Sequence, residues 1–392
     1  MRETRDIGIY IHIPFCLSKC PYCDFNSLAL SPIPEKDFIK ALTQEMEIRA
    51  QDPFKRSQEM RVSSIYFGGG TPSLFSADSL DCLLDTIMNL FSKFQHTEIT
   101  LEVNPKTADK KKLQEIHALG INRLSIGVQS FQNMLLKTLG RIHDSEDALR
   151  LYEDARTIGF DNISLDLIFS IPGQTQDDWQ KDINRAIFLK PQHISVYNLT
   201  IEENTPFKEM QRQGRISLPD EETQVHMYRH GVSEFIHSGY EQYEISNFAL
   251  PGFRCRHNEG YWTLREYLGF GPGAHSYLKE DLSGGEWGVR WKNIPDPFEY
   301  ISRLSKASSP VMEKEELARE EAVKEAIFLG LRRLEGINFK EFQKRFGISL
   351  KETYSPVITF LEREDFVSIQ DGNLKLTDQG VLLSNEVFVK FF

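Results

Sequence analysis

Six β-rich runs alternate with helix-length stretches through the first half of this chain, and that alternation restricts the fold more than any other feature. The runs are IGIYIHI (7–13), VSSIYFGG (62–69), TEITLEV (97–103), INRLSIGV (121–128), FDNISLDLIF (160–169) and PQHISVYNL (191–199). Between the second and third lies SADSLDCLLDTIMNLFSKF (76–94). Its Leu80, Leu83, Leu84, Ile87, Met88 and Phe91 follow the three-or-four spacing of one helix face, behind a serine cap. Cys82 falls on that core face and reads as packed. Strand–helix–strand units impose parallel pairing, because the chain must cross back between strands. Six of them form an open doubly wound sheet or a partial barrel, and periodicity does not choose. Both architectures place sites at the C-terminal ends of strands.

After about residue 200 the pattern changes. A helix is predicted over 219–238, then an irregular stretch rich in glycine and aromatics, CRHNEGYWTLREYLGFGPGAHSY (255–277), then a short strand, WGVRWKN (287–293). From about 311 a helical tail is expected, followed by two further helices and a hairpin, FVSIQDGNLKLT, turning at Asp371-Gly372. This order resembles a winged helix. The domains expected are 1–240, an irregular connecting region 241–310, and a helical, winged-helix-like domain 311–392. The last carries 12 basic and 15 acidic residues, so its wing reads as structural or as a partner surface.

The net charge of −11 argues against a broad nucleic-acid surface, which needs clustered Lys and Arg. The basic run DKKK (109–112) reads as a solvated helix face. No apolar run reaches the roughly 18–20 residues needed to span a bilayer, which leaves at most a peripheral membrane contact. The start, MRETRDIGIYIHIPF, lacks the features of a signal peptide. The expected compartment is the cytoplasm, where thiols stay reduced.

That compartment gives weight to CLSKCPYCDF, residues 16–25. Three of the chain's five cysteines sit here, directly after the first strand. C-x3-C-x2-C on a loop brings three thiolates to one point. Structural zinc wants four ligands, and no fourth Cys or His follows at a usual spacing. A [4Fe–4S] cluster normally takes four thiolates as well; three leave one iron open. Other polar residues recur at successive strand ends: the glycines of YFGGGTPS (66–73), Glu102 in LEVNP, Gln129 in SIGVQSF and Asp166 in LDLIFSIPGQT. A charged residue inside an apolar strand is unusual as core packing.

The triplet, with Tyr22 before its last cysteine, resembles the signature of the radical S-adenosylmethionine (SAM) superfamily. That resemblance implies a partial (β/α)6 barrel, with a [4Fe–4S] cluster on Cys16, Cys20 and Cys23 and SAM on the open iron. In the superfamily an electron from the cluster then cleaves SAM to a 5′-deoxyadenosyl radical. It also implies SAM-contact roles for Tyr10, Tyr22, Gly69, Gly70, Thr71, Glu102, Gln129, Arg141 and Asp166. Seven motifs in order, YIHIPFC, CPYCDF, YFGGGTPS, LSIGVQSF, LDLIFSIPGQT, RHNEGYW and GFGPGAHSY, are similar to the branch containing oxygen-independent coproporphyrinogen III dehydrogenase and the HemW heme chaperones.

Two departures favour the chaperones. The dehydrogenase has a fourth cysteine where this chain has Phe25, and a long extension where only fifteen residues precede Cys16. HNEGYW (257–262) resembles the chaperones' H-N-x-x-Y-W motif, which implies heme at His257. A neutral imidazole suits iron, and Tyr261 and Trp262 suit a flat macrocycle. His275 and Cys255 are alternative iron ligands. The implied partners are heme, an apo-hemoprotein acceptor and a reductant protein supplying electrons. The implied function is heme delivery rather than enzymatic turnover. The rival readings are the dehydrogenase itself, a zinc- or cluster-bearing interaction protein, and a radical enzyme acting on RNA, which the acidic charge disfavours.

Overall fold

A computed structural model describes residues 4–50, 59–279 and 287–392. Its centre is six parallel strands in chain order: β1 (Thr4–Ile13), β2 (Glu59–Gly69), β3 (Ser92–Val103), β4 (Arg123–Gln129), β5 (Ile163–Phe169) and β6 (His193–Asn198). Each pair is joined through a helical crossover, so the run of six alternating units makes the partial barrel that the sequence implied. The predicted strand positions hold within a few residues.

Alternation along β1 sets the layers. Ile7, Ile9, Ile11 and Ile13 point outward and are fully buried with Phe38, Leu42 and Met46 of the helix Glu35–Ala50. Gly8, Tyr10 and His12 take the other face, which is the barrel interior. The outer face is therefore an apolar seam between sheet and helices, and the interior is polar. The helix Ala77–Leu90 buries Leu80, Leu83, Leu84 and Ile87, as its spacing predicted. Cys82 is exposed, which corrects its reading as packed: one residue from Leu83 is a 100° turn away from the buried stripe.

The sheet extends beyond the barrel at both edges. Tyr267–Phe270 pairs parallel with β1, and His275–Leu278, Val289–Asn293 and Val311–Glu316 follow antiparallel. Asn247–Ala249 and Glu241–Gln242 extend the other edge. The irregular stretch expected after 241 is thus largely short strands around a helix, Arg256–Trp262. The helical tail expected from 311 begins instead at Arg319. Val311–Glu316 is an almost fully exposed edge strand, VMEKEE. Its charges resemble a helix face, yet they are also how an edge strand avoids further pairing.

The C-terminal region has a second core of Val323, Ile327, Leu331, Phe342, Phe346 and Leu374, joined by Leu264 and Tyr277 of the sheet extension. Its hairpin, Val367–Gln370 with Asn373–Leu376, turns at Asp371 (φ 53°) and Gly372 (φ 77°). Two positive φ values define the tight turn that an Asp-Gly pair favours. Among the described residues, no helix is long and apolar enough to cross a membrane.

Candidate functional site

The three cysteines lie on a loop tied at its neck. Phe15–Cys16 pairs with Leu28–Ala29, the Leu28 N–H donates to Pro14 O at 2.7 Å, and Leu30 N–H donates to Cys16 O at 3.2 Å. Inside the loop, Cys23 N–H reaches Cys20 O at 3.1 Å, and Lys19 Nζ bonds the carbonyls of Phe25 (3.1 Å) and Ser27 (3.0 Å). Gly140 presses on this turn: at φ 68°, a Cβ there would lie 2.5 Å from Pro21 Cδ. All three thiols are half-buried. Thr71 Oγ1 donates to Cys16 Sγ at 3.5 Å, and Arg141 Nη1 donates to Cys20 Sγ at 3.6 Å. Cys23 Sγ and Ser27 Oγ are 4.0 Å apart. Burial pushes the Cys16 and Cys23 thiols above their ordinary pKa.

The loop roofs a cavity of about 400 Å³ at the C-terminal ends of the strands. Of the expected residues, the three cysteines, Tyr22, Gly69, Gly70, Thr71, Glu102, Gln129, Arg141 and Asp166 all line it. Gly69 takes φ 113°, a backbone state that favours glycine, and a Cβ on Gly70 would come within 2.7 Å of Phe15 O, so Gly69 is required by its conformation and Gly70 by the backbone's close approach. Glu102 accepts from Tyr66 OH at 2.9 Å and Gly69 N–H at 3.1 Å. Burial, with Asp166 as a further negative neighbour, pushes its carboxyl up to about 7. Asp166 accepts from Ser125 Oγ (2.9 Å) and Ser164 Oγ (3.2 Å), and burial also raises its pKa. Gln129 holds φ 67°, an uncommon backbone state for a residue with a side chain. Tyr22 packs against Phe207, ring centroids 6.1 Å apart.

Sequence reasoning missed Asn104, Tyr66 and Arg123. Asn104 links two walls, donating to Thr71 Oγ1 at 3.0 Å and accepting from Arg141 Nη2, which also reaches Gly127 O at 3.0 Å. Arg123 is 2% exposed inside the barrel. Its signal was the one used for Glu102, a charge within an apolar strand.

Two expected residues stand apart from the cavity lining. Tyr10 lies behind Tyr66, ring centroids 6.2 Å apart, with its hydroxyl 3.0 Å from His12 Nδ1. His257 is 2% exposed, deeper in the barrel. Its Nδ1 meets Ser64 Oγ at 3.0 Å and its Nε2 meets Tyr261 OH at 3.0 Å. Burial, with Arg265 and Arg123 nearby, drives its pKa down to about 3. Glu98 accepts the Cys255 thiol at 3.7 Å and the backbone N–H of Arg256 (3.2 Å) and His257 (3.1 Å). Trp262 lies under the Arg332 guanidinium at 4.6 Å. An axial ligand needs a free nitrogen lone pair. As folded, the one lone pair of a neutral His257 faces a hydroxyl, of Ser64 or Tyr261, and Cys255 is enclosed, so iron at His257 would have to displace a hydroxyl partner.

Among the described residues, no three His, Cys, Asp or Glu side chains converge closely enough for a single metal ion. A cubane cluster instead spreads its thiolates over separate irons. The loop, the glycine turn and the polar cavity together fit that larger group better than zinc.

Fold and cavity together define a radical SAM protein. Residues 10–186 match the model of the radical SAM superfamily, and residues 317–383 match the HemN C-terminal domain. The structure of coproporphyrinogen III oxidase (HemN) from Escherichia coli superposes with a TM-score of 0.83, at 22% identity, over 99% of this chain and 90% of that one. Heme chaperone HemW of Bacillus subtilis is 38% identical over 97% of this chain and 98% of its own length. That of Haemophilus influenzae is 35% identical over 100% and 99%. A Danio rerio relative, radical S-adenosyl methionine domain-containing protein 1, mitochondrial, is 31% identical over 97% and 86%. This chain belongs to the HemW family.

Proposed function

We propose that this protein is a heme chaperone that carries a [4Fe–4S] cluster and SAM and passes heme to an apo-hemoprotein. The observation that carries the cofactor reading is the single cavity uniting three half-buried thiols with the polar ends of five successive strands. The heme reading rests on the names of its relatives and on Phe25 standing where the dehydrogenase has a fourth cysteine.

Cys16, Cys20 and Cys23 would hold the cluster as thiolates. Their raised pKa values mean that iron binding must displace protons, so loading is favoured by higher pH. Gly69 and Gly70 open room for the amino-acid end of SAM, and Glu102 and Asp166 present acceptors to its polar groups. Arg141 and Asn104 fix the wall beside Cys20. When bound, the cluster and SAM supply one-electron chemistry that no side chain here provides. A reductant protein would supply the electron, and the cytoplasm is the compartment in which these thiols stay reduced.

The test is anaerobic. The cluster is reconstituted, and the protein is titrated with heme, then separately given coproporphyrinogen III with SAM and a reductant. Stoichiometric heme binding without porphyrinogen turnover is expected. Sustained decarboxylation without tight heme binding would return the protein to the dehydrogenase class.

A further inference from the structure

The cofactor reading leaves open what aims Gln129 into the cavity it lines. β4 does not end as a regular strand. Ile126 pairs with Leu165 and Gln129 with Leu167, so three steps on β4 face two on β5. The extra residue is a bulge, a device by which a strand re-aims a side chain. Ser130 N–H then donates to Val128 O at 2.9 Å across Gln129, whose φ is 67°. A bond from residue i+2 back to residue i, over a positive φ, is the rarer and more strained form of the γ-turn. Such strain persists only where the surroundings over-determine it.

Three side chains grip this turn. Arg141 Nη2 donates to Gly127 O at 3.0 Å, and His143 Nε2 donates to Val128 O at 3.2 Å. Burial, with Arg141 nearby, pushes His143 down to about 4, so its ring is neutral. The third is Asp182, which stands outside the cavity lining and reaches in from the outer helix layer. It lies on the helix Gln176–Leu189, the crossover between β5 and β6.

Trp179, Asp182, Ile183 and Ala186 form the buried stripe of that helix, so a carboxylate stands where the spacing calls for an apolar side chain. Its Oδ2 accepts from Ser130 Oγ at 2.6 Å, and its Oδ1 accepts from Phe131 N–H at 2.8 Å and Gln132 Nε2 at 3.2 Å. Ser130 Oγ in turn accepts from Gln132 N–H at 3.0 Å. A buried carboxylate is costly unless donors meet it. Here the three donors come from three consecutive residues, the ones that follow the γ-turn. What the carboxylate fixes is therefore the path of the chain leaving Gln129.

We propose that Asp182 is a positioning residue for SAM: it pins residues 130–132 from the outer helix and so holds the Gln129 side chain in the cavity. This rests on the cofactor reading and adds a residue to that site which touches no ligand.

The experiment measures SAM affinity by equilibrium dialysis on the full-length, cluster-loaded protein, with iron content and hydrogen exchange of the apo protein alongside. Asp182→Ala is expected to bind SAM about tenfold more weakly, with wild-type iron content and faster exchange at the Phe131 N–H. Asp182→Asn keeps an acceptor for Phe131 N–H and Gln132 Nε2, and should stay within about threefold of wild type. Gln129→Ala tests whether the effect runs through Gln129. In that background Asp182→Ala should add less than about twofold, because residues acting through one group are not additive. Losses that multiply in the double variant would overturn the proposal, as would an Asp182→Ala protein that binds SAM as tightly as wild type. Where circular dichroism shows Asp182→Ala to be unfolded, Ser130→Ala takes its place. It removes one donor, should weaken SAM binding about threefold, and is read by the same cycle with the same overturning outcomes. Wild-type protein that binds no SAM would sink the cofactor reading itself.

Discussion

The two ends of this barrel are built from the same residue types to opposite ends. At the cysteine-loop end, three thiols, four carboxylates (Asp24, Glu102, Asp166 and Glu202) and the Arg141 guanidinium border an open cavity, and Arg141 Nε is buried without a partner. Around His257, Ser64 and Tyr261 engage the ring and Glu98 the backbone beside it. Buried polar groups cost stability unless paired. Both ends carry some of that cost, since Arg123 Nε, Arg265 Nε and Trp262 Nε1 near His257 are buried without partners too, but only at the cysteine-loop end do the incomplete groups border an open cavity. The two regions therefore differ in openness: the His257 ring meets partners from the chain on both nitrogens, while the groups at the cysteine-loop end face a cavity.

The largest expected effect follows from removing a thiol. Cys20→Ala should abolish retention of the cluster on anaerobic reconstitution, measured as iron and sulfide per chain. The apo fold should hold, because Cys20 is only half-buried. A variant retaining full iron would break the contrast, since the open end would then not need its third thiol.

At the closed end the expected loss is stability. His257→Ala strips partners from Ser64 and Tyr261 and should cost roughly 2–4 kcal/mol in urea unfolding. The two ends also titrate in opposite directions. With His257 near 3 when folded and about 6.5 when unfolded, the unfolded chain takes the proton first. Its contribution is complete above about pH 6.5 and is lost as pH falls toward 3. Glu102, at about 7 against an ordinary 4.5, does the reverse. The folded apo protein keeps that proton through the window, so its contribution declines as pH rises from about 4.5 to 7. His257→Gln should flatten the acid limb of stability against pH, and Glu102→Gln the limb between 4.5 and 7. Unchanged limbs in both variants would mean that these groups do not titrate as their burial dictates.

A smaller effect tests the cavity wall. Arg141→Lys keeps the charge but not the planar fork that joins Asn104, Gly127 and Cys20. SAM affinity should fall by about tenfold with little change in iron content. Equal affinity would show that the wall is not part of the binding surface.

How far all this could be read from sequence depends on how local the determinants are. The barrel was legible because each strand and each helix face carries its own period, as in Ile7 to Ile13 and Leu80 to Ile87. The cavity was legible because its residues sit at strand ends, where parallel topology gathers them. The enclosure of the His257 ring was not legible, because it depends on Ser64, 193 positions away. Val311–Glu316 misled because a charged edge strand and a solvated helix share a composition. Asn104 matters only through Thr71 and Arg141, and no local pattern records that.

The smallest expected effect belongs to Cys82, and it sharpens the comparison by its silence. It is a fourth accessible thiol, yet it lies on the exposed side of the helix Ala77–Leu90, away from the cysteine loop. If any free thiol could complete the cluster, Cys82→Ser would lower iron content. If the loop's geometry decides, the variant should retain wild-type iron and change stability by no more than about 0.5 kcal/mol. A loss of iron in Cys82→Ser would shift the explanation from the placement of three thiols to their mere number.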